Sequence, residues 1–285
     1  MREDIYIIAV PKRQQKSPHL DDFGKIVNKH TTFSMIATMG GSKAGKVGIG
    51  IGGLMLYNIS DSQKEQEMAG NGLKWAVLGP GAIAHRFAEA LAAAPGSELY
   101  AVGSRSLERA RAFAGAHGAQ ACYGSYEELA RDPDVQAVYV ATPHTGHCAN
   151  AVLCLEHGKA VLCEKPLAVN AAQARRMADA ARANGAFLME AMWSRFLPAA
   201  VRARELAAAG VIGELRMLTA DFSFSAPPDP ASRLFAPALA GGGLLDVGTY
   251  VMHLSSALFG PRPDRAEAFC RIGETGVDEN AAMLL

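Results

Sequence analysis

The sequence lacks the cysteine patterns of a disulfide-stabilised or zinc-binding protein. Its five cysteines are an odd number, and no two of them form a Cys-x-x-Cys pair. Secreted disulfide frameworks and thiolate zinc sites normally show such pairing or spacing. We therefore interpret the cysteines as reduced thiols of a cytoplasmic protein, and we expect no metal site.

An excess of charge of one sign and a long hydrophobic run are also missing. Lys and Arg total 28, as do Asp and Glu, so no net field favours nucleic acid or an anionic membrane. The longest mostly apolar run, residues 47–59, holds four glycines and is shorter than the ~20 residues of a spanning helix. The acidic start, Met1–Asp4, lacks the order of a secretory signal. We expect no nucleic-acid partner and no membrane segment.

The middle of the chain shows a regular alternation of short β-rich runs and alanine-rich helical stretches. Strands are predicted at Leu73–Leu78, Leu99–Ser104, Ala137–Thr142, Ala160–Glu164 and Ala186–Glu190. Helices are predicted at Ile83–Ala94, Leu107–His117, Tyr126–Arg131, His147–His157 and Ala171–Ala183. This alternation is typical of βαβ units and predicts an α/β domain over residues 73–191, with a parallel sheet covered by helices on both faces.

The two ends of the chain are less regular. Residues 1–72 show no sustained periodicity and form an unassigned N-terminal extension, of which we expect residues 1–67 not to be needed for activity. Beyond residue 191 the pattern predicts a helix at Ala199–Ala209, a strand at Glu214–Phe224 and a helix at Asp246–Leu258. We expect residues 192–285 to form a second domain.

A glycine-rich turn follows the first predicted strand and opens the first predicted helix. Gly79, Gly81 and Ala84 form a Gly-x-Gly-x-x-Ala motif. The first glycine permits a tight turn, the second lets the backbone approach a pyrophosphate, and the helix start supplies partial positive charge. We predict a doubly wound, dinucleotide-binding Rossmann domain, with Ala82 and Ile83 also beside the cofactor.

The end of the second predicted strand indicates which dinucleotide is bound. An Asp or Glu there would bind the ribose 2′-hydroxyl of NAD, but the chain has Ser104, Arg105 and, one helical turn later, Arg109. Arginine and hydroxyl groups suit a 2′-phosphate. The alternative is that these arginines are ordinary solvated residues. We predict NADP as the cofactor, with NAD possible.

Two later strand ends carry further candidate cofactor ligands. Thr142, Pro143 and His144 follow the third clear strand, and His147 comes one turn later. Ligands of open parallel sheets bind at the carboxyl ends of the strands, so we expect these residues near the cofactor. For His147 the alternative is an ordinary residue of the first helical turn.

Glu164 and Lys165 follow the next strand and precede Pro166. A partly desolvated lysine near the nicotinamide could take part in proton transfer, and Glu164 could hold it by an ion pair. The alternative is a structural salt bridge at a strand end.

The second domain contributes a carboxylate and a phenol at helical spacing. Asp246 and Tyr250 lie four residues apart after the glycine triplet 241–243, which predicts that they share a helix face. A phenol near a lysine can accept a hydroxyl proton while hydride leaves the adjacent carbon. Asp246 could orient the substrate hydroxyl or balance the positive charge of Lys165. His253 could line the same pocket, or it could be a core histidine.

The set and order of these motifs resembles the glucose–fructose oxidoreductase/inositol dehydrogenase (Gfo/Idh/MocA) family. The landmarks are the glycine turn, Ala141-Thr142-Pro143, Glu164-Lys165-Pro166 and the glycine triplet before Asp246 and Tyr250. Residues 123–129, 190–198 and 274–278 are similar to a branch that contains dimeric dihydrodiol dehydrogenases and NADP-dependent D-xylose dehydrogenases. The resemblance covers Leu73 to Leu285.

The resemblance implies a fold, a reaction and roles for single residues. It implies a Rossmann domain followed by an α+β domain on an open, mainly antiparallel sheet, and hydride exchange between NADP and a sugar or cyclic diol. By resemblance, Lys165 and Tyr250 are the catalytic pair, Asp246 assists, and Trp193 and Arg195 border the substrate pocket. A homo-oligomer, such as a dimer, formed through the substrate-domain sheet is expected if that domain is complete.

Two departures from the family pattern leave an alternative open. Residues 1–72 match no recognised family segment, and the chain ends within a predicted strand at Leu285. We therefore expect a C-terminally truncated substrate domain. The alternative to an active enzyme is a non-catalytic NADP-binding protein or an inactive fragment.

Overall fold

The computed structural model describes residues 72–285. Within this range the chain divides into two compact units, residues 72–191 with 238–240, and residues 192–237 with 241–285. The predicted extension, residues 1–72, lies outside the described residues except for Gly72.

The first unit is built on a six-stranded parallel sheet. Its strands are β1 (Leu73–Leu78), β2 (Ser97–Gly103), β3 (Ala121–Tyr123), β4 (Ala137–Val140), β5 (Ala160–Cys163) and β6 (Leu188–Glu190). They lie in the order β3-β2-β1-β4-β5-β6, with every neighbouring pair parallel. The strand order reverses between β1 and β4, and such a reversal opens a crevice at the carboxyl edge of the sheet.

Five helices connect these strands: α1 (Ala82–Ala92), α2 (Leu107–His117), α3 (Tyr126–Arg131), α4 (His147–Glu156) and α5 (Ala171–Ala183). Three begin at a polar residue whose side chain accepts a backbone N–H bond three residues on: Ser106, Ser125 and Asn170. These caps satisfy helix donors that would otherwise have no partner. The parallel sheet and the α/β class predicted from the sequence are confirmed.

The core of this unit lies on both faces of the sheet. Val138 and Val140 of β4 belong to one buried cluster, whereas Tyr139, between them, packs in the other. This is the alternation expected when both faces of a strand are covered. The central strands are therefore buried on both faces, and their carboxyl ends set where the connecting loops begin.

The second unit combines helices with a small antiparallel sheet. A 3₁₀ turn (Trp193–Phe196) leads into α6 (Pro198–Ala208), and a π-helical turn (Leu244–Gly248) continues into α7 (Thr249–Phe259). Strands β7 (Glu267–Ile272) and β8 (Asp278–Leu284) pair as an antiparallel hairpin. Across residues 72–285, no helix combines the length and the apolar character needed to span a bilayer.

Two details of the prediction for the second unit are wrong. Glu214–Phe224 is not a continuous strand: it contains only isolated bridge residues, Leu215 and Thr219, although its aromatic alternation resembles a strand. The helix predicted from Asp246 begins two residues earlier, at Leu244, as a π-helical turn. Such turns are rare in helices and recur at functional sites.

Candidate active site

The glycine turn after β1 is shaped by close contact with the loop after β4. Gly79 has φ +93°, and a Cβ atom at this position would lie 3.0 Å from Cγ2 of Thr142 and 3.1 Å from the Ala141 carbonyl group. Its N–H donates to the carbonyl oxygen of Gly103 at 3.0 Å. A positive φ and a crowded Cβ position together require glycine here.

Gly81 is required for a different reason. It precedes α1 with φ −103° and has no side-chain cap, and a Cβ atom there would meet no protein atom within 4 Å. Ala82 and Ile83 at the helix start are exposed, whereas Ala84 is fully buried against the sheet. An open backbone at a helix N-terminus is suited to bind an anion. These residues therefore fit the pyrophosphate of a dinucleotide.

Replacement of the two glycines by alanine should have different effects. Gly81→Ala meets no protein atom, so we expect an unchanged melting temperature and at least about tenfold weaker dinucleotide binding, because the methyl group occupies the ligand's space. Gly79→Ala should lower the free energy of unfolding by about 1–3 kcal/mol, because it strains the backbone. Thermal melts and fluorescence titration with NADPH measure both effects. Equal destabilisation by the two variants would contradict this assignment.

The loop after β2 places hydroxyl and guanidinium groups beside the glycine turn. Ser104 is buried, and its Oγ accepts the N–H of Ser106. Arg109 extends from α2 back to the turn, where Nη2 donates to the carbonyl oxygen of Pro80 at 3.3 Å. Arg105 is exposed between them. This group lies where the 2′ position of an adenosine ribose falls in Rossmann domains.

The loop after β4 is held by side-chain contacts. Thr142 is buried, and its Oγ1 accepts a hydrogen bond from Nδ2 of Asn150 at 3.1 Å. Pro143 is exposed, and His144 is half-buried with Nδ1 3.3 Å from the Ala240 carbonyl oxygen. Thr142 thus adjoins the glycine turn, and the place of Thr142, Pro143 and His144 beside the cofactor stays a prediction.

His147 joins two loops of the crevice. It is fully buried; Nδ1 lies 2.8 Å from the Pro166 carbonyl oxygen and Nε2 lies 2.9 Å from the Thr142 carbonyl oxygen. A neutral imidazole can donate only one hydrogen bond, so the two carbonyls favour the charged ring. Burial opposes the charge more strongly and lowers the pKa of His147 below its ordinary value. The ring therefore connects the loops after β4 and β5.

His147 should make stability depend on pH. Because its pKa is lowered in the folded state, the unfolded chain takes up the proton first as the pH falls below about 6.5. We expect wild-type stability to fall below this pH with a slope of up to about 1.4 kcal/mol per pH unit. His147→Gln should lack this component, whereas the exposed His157→Gln should retain it. Denaturant unfolding between pH 7 and pH 5 measures the slopes; the same slope in all three proteins would contradict the assignment.

The loop after β5 carries the candidate catalytic lysine. The buried Glu164 carboxylate accepts the Tyr139 hydroxyl and, at 3.1 Å, the backbone N–H of Lys165. Glu164 thus anchors the main chain at Lys165, whose side chain is half-buried. The peptide bond from Lys165 to Pro166 is cis. The ion pair predicted between the two side chains remains a prediction.

Two residues support this loop through contacts that the sequence did not predict. Tyr139 points from β4 to Glu164 and stacks on Phe87 with ring centroids 3.9 Å apart. Glu190 at the end of β6 accepts the N–H of Leu167 at 2.7 Å, and burial raises its pKa. Both contacts join residues far apart in sequence.

In the second unit, Tyr250 lies in an aromatic group. The indole Nε1–H of Trp193 donates to the Tyr250 hydroxyl oxygen at 2.8 Å, and the two rings meet edge to face. Phe222 lies on the tyrosine ring at a centroid distance of 5.2 Å. Phe222 belongs to the segment wrongly predicted as a strand, and no sequence signal placed it here. The predicted site residues Trp193 and Tyr250 are in direct contact.

Asp246 is buried and paired with an arginine. It is 5% exposed, and Nη1 of Arg233 lies 2.8 Å from its Oδ1. Asp278 from β8 accepts the N–H of Leu244 at 2.6 Å and packs against Gly242, where a Cβ atom would collide with its carboxylate. The glycine triplet therefore makes room for a carboxylate that anchors the start of the helix carrying Asp246 and Tyr250.

His253 lies near the positive charges of Arg195 and Arg204 in the same unit. The half-buried His253 has a buried Nε2 with no hydrogen-bond partner. Burial lowers its pKa, and the charges of Arg195 and Arg204 lower it further. Arg204 donates to the Arg195 carbonyl oxygen at 2.8 Å. The lowered pKa favours the neutral imidazole, so the positive charge here belongs to the two arginines.

The sheet order, the glycine turn at its reversal and the open start of α1 define a dinucleotide-binding Rossmann domain. The model of the oxidoreductase family with an NAD-binding Rossmann fold matches residues 73–192, and the GFO/IDH/MocA C-terminal domain matches residues 200–285. The chain belongs to the Gfo/Idh/MocA oxidoreductase family, which confirms the resemblance.

Named relatives support the dihydrodiol dehydrogenase branch. The chain is 46% identical over 216 residues to trans-1,2-dihydrobenzene-1,2-diol dehydrogenase of Mus musculus and 44% identical to that of Homo sapiens. Each alignment covers 75% of this chain and 64% of the relative. The chain thus spans just under two thirds of the length of these relatives.

Solved structures show the same fold. An oxidoreductase domain protein from Kribbella flavida is 30% identical with a TM-score of 0.69, over 75% of this chain and 63% of the other. A 3-ketoreductase from Actinomadura kijaniata, solved with TDP-benzene and NADP, is 33% identical with a TM-score of 0.58, over 70% and 60%.

Proposed function

We propose that this protein is an NADP-dependent oxidoreductase that transfers a hydride between the nicotinamide and a ring carbinol of a cyclic trans-diol or a sugar. The observation that carries the proposal is the juxtaposition at one sheet edge of the glycine turn after β1 and Lys165 after β5, on either side of β4. A cofactor cradle and a half-buried amine at one crevice are suited to proton-coupled hydride transfer. The trans-diol is favoured over D-xylose because the named relatives act on a dihydrobenzene diol.

The proposed chemistry divides the reaction between the cofactor and the side chains. The glycine turn and the start of α1 would hold NADP, which would supply a hydride acceptor for the carbinol carbon. Tyr250, as phenolate, takes the hydroxyl proton, so that a C–H and an O–H bond break and a carbonyl group forms. By the family resemblance, Lys165 would favour the phenolate through its positive charge, and Asp246, which pairs with Arg233, would bind the substrate hydroxyl. Trp193, Arg195 and His253 would border the substrate.

The preference for NADP is supported by the loop after β2, which offers Ser104, Arg105 and Arg109 and has no carboxylate at the strand end. Arg105→Ala should weaken NADPH binding about tenfold to a hundredfold and leave NADH binding unchanged, because it removes a charged contact to the 2′-phosphate. Arg111→Ala is the control, because Arg111 is an exposed arginine of the neighbouring helix α2. Titration with NADPH and NADH measures the ratio of the two dissociation constants. An equal loss of affinity for both dinucleotides would contradict a contact with the 2′-phosphate.

The function as a whole is tested by NADPH formation from a panel of aromatic trans-dihydrodiols, D-xylose, D-glucose and inositol, with NAD beside NADP. We expect the highest kcat/KM with a trans-dihydrodiol and NADP. Tight cofactor binding without turnover of any of these compounds would instead support the alternative, a non-catalytic NADP-binding protein.

A further inference from the structure

We infer that Trp193 is a positioning residue that promotes ionisation of Tyr250 through the hydrogen bond from its indole nitrogen to the phenol oxygen. This inference deepens the proposed function and depends on Tyr250 as the proton acceptor. The observation behind it is the 2.8 Å contact between Nε1 of Trp193 and the hydroxyl oxygen of Tyr250.

The direction of the effect follows from the chemistry of the indole group. An indole N–H can donate a hydrogen bond but cannot accept one. The phenol oxygen must therefore be the acceptor, both as phenol and as phenolate. A hydrogen bond to an ionised acceptor is about twice as strong as a bond between neutral groups. The contact thus stabilises the phenolate more than the phenol and favours loss of the proton.

The surroundings of the bond fix the geometry of the two rings. The rings of Trp193 and Tyr250 meet edge to face at a centroid distance of 5.9 Å, and Phe222 contacts the tyrosine ring from within the same unit. Trp193 follows β6 in a 3₁₀ turn, and its side chain is 48% exposed. Replacement of this exposed indole by phenylalanine should remove the N–H donor and leave the fold in place.

The chain offers a matched control for this substitution. It has only two tryptophans, and the indole nitrogen of the other, Trp75, is buried without a hydrogen-bond partner. Trp75→Phe therefore removes an indole N–H from a position where it makes no hydrogen bond. Trp75 lies in β1 and packs against Phe87, outside the proposed catalytic and binding groups.

The experiment is a pH titration of Tyr250 by ultraviolet difference absorbance of the phenolate. For wild type, Trp75→Phe and Trp193→Phe, the signal of Tyr250 is obtained by subtracting the same protein carrying Tyr250→Phe. We expect the midpoint to lie about one pH unit higher in Trp193→Phe than in the other two proteins. The rising limb of kcat/KM against pH should move by the same amount. Midpoints that coincide in Trp193→Phe and Trp75→Phe would overturn the inference.

A second measurement needs no change at Trp193. In Trp75→Phe, the emission comes from Trp193 alone, and ionisation of the adjacent phenol should quench it in one step. This fall in emission should be absent from the double variant Trp75→Phe/Tyr250→Phe. If Trp75→Phe also showed no such fall, the inference would be overturned.

These results distinguish the inference from the proposed function. If Trp193→Phe shifted the midpoint of Tyr250 but the wild-type protein oxidised no carbinol, the role of Trp193 would be supported and the proposed function refuted. If Trp193→Phe left the midpoint of Tyr250 unshifted while turnover still required Tyr250, the inference would be refuted and the proposed function supported.

Discussion

Replacement of Lys165 by methionine is expected to reduce kcat by about 10²- to 10⁴-fold, the range ascribed to a positioned proton-transfer group. Methionine keeps most of the side-chain volume but carries no charge, so it cannot stabilise a phenolate. The Kd for NADPH should change by less than about threefold, because the pyrophosphate is held by the glycine turn and the start of α1. Stopped-flow turnover measures kcat, and fluorescence titration measures the Kd for NADPH separately.

The control for this variant is Lys74→Met. Lys74 lies at the amino end of β1, opposite the crevice, where it pairs with Asp134 on the surface. The same change of charge there should leave kcat and the Kd for NADPH unaltered. Wild-type turnover in Lys165→Met would refute the proposed mechanism, whereas a parallel loss of turnover and cofactor affinity would assign Lys165 to binding alone.

Replacement of Tyr250 by phenylalanine should reduce kcat to a similar extent, by about 10²- to 10⁴-fold. The ring and its contacts with Trp193 and Phe222 are preserved, but the group that accepts the hydroxyl proton is lost. We expect the residual activity to rise with hydroxide concentration, because solvent must now remove the proton. The pH profile of kcat between pH 6 and pH 10 measures this change.

Tyr126→Phe provides the matched control for the loss of a phenol. Tyr126 is the first residue of α3 in the Rossmann unit and packs against the buried core of that unit, outside the proposed catalytic and binding groups. The Tyr126→Phe enzyme should retain the wild-type kcat and the wild-type pH profile. A Tyr250→Phe enzyme with an unchanged pH profile would show that another group accepts the proton.

The parts of the fold that the sequence predicts best are those determined by local interactions. The predicted limits of α2, α3 and α5 agree with the structure because each helix begins at a Ser or Asn that caps its own backbone. The glycine turn was recognisable for the same reason, since a strand, a tight turn and a helix follow within a few residues. Strand β3 was missed because three residues are too few to show a period.

The parts that could not be predicted depend on contacts between distant residues. Nothing near Asp246 in the sequence indicates that Arg233 will pair with it, and nothing near Tyr250 indicates the indole of Trp193. Likewise, the pattern at His147 allowed a cofactor ligand or an ordinary helix residue, whereas its two carbonyl contacts arise only when β4 and β5 are side by side. Direct contact of His147 with the cofactor stays a prediction.

The most direct test of the account is the mixing of the purified chain with NADP and trans-1,2-dihydrobenzene-1,2-diol, with NADPH absorbance followed over time. We expect steady formation of NADPH, one molecule for each carbinol oxidised, and its loss in Lys165→Met and Tyr250→Phe. Saturable NADPH binding with no NADPH formation from this diol or from any sugar of the panel would contradict it.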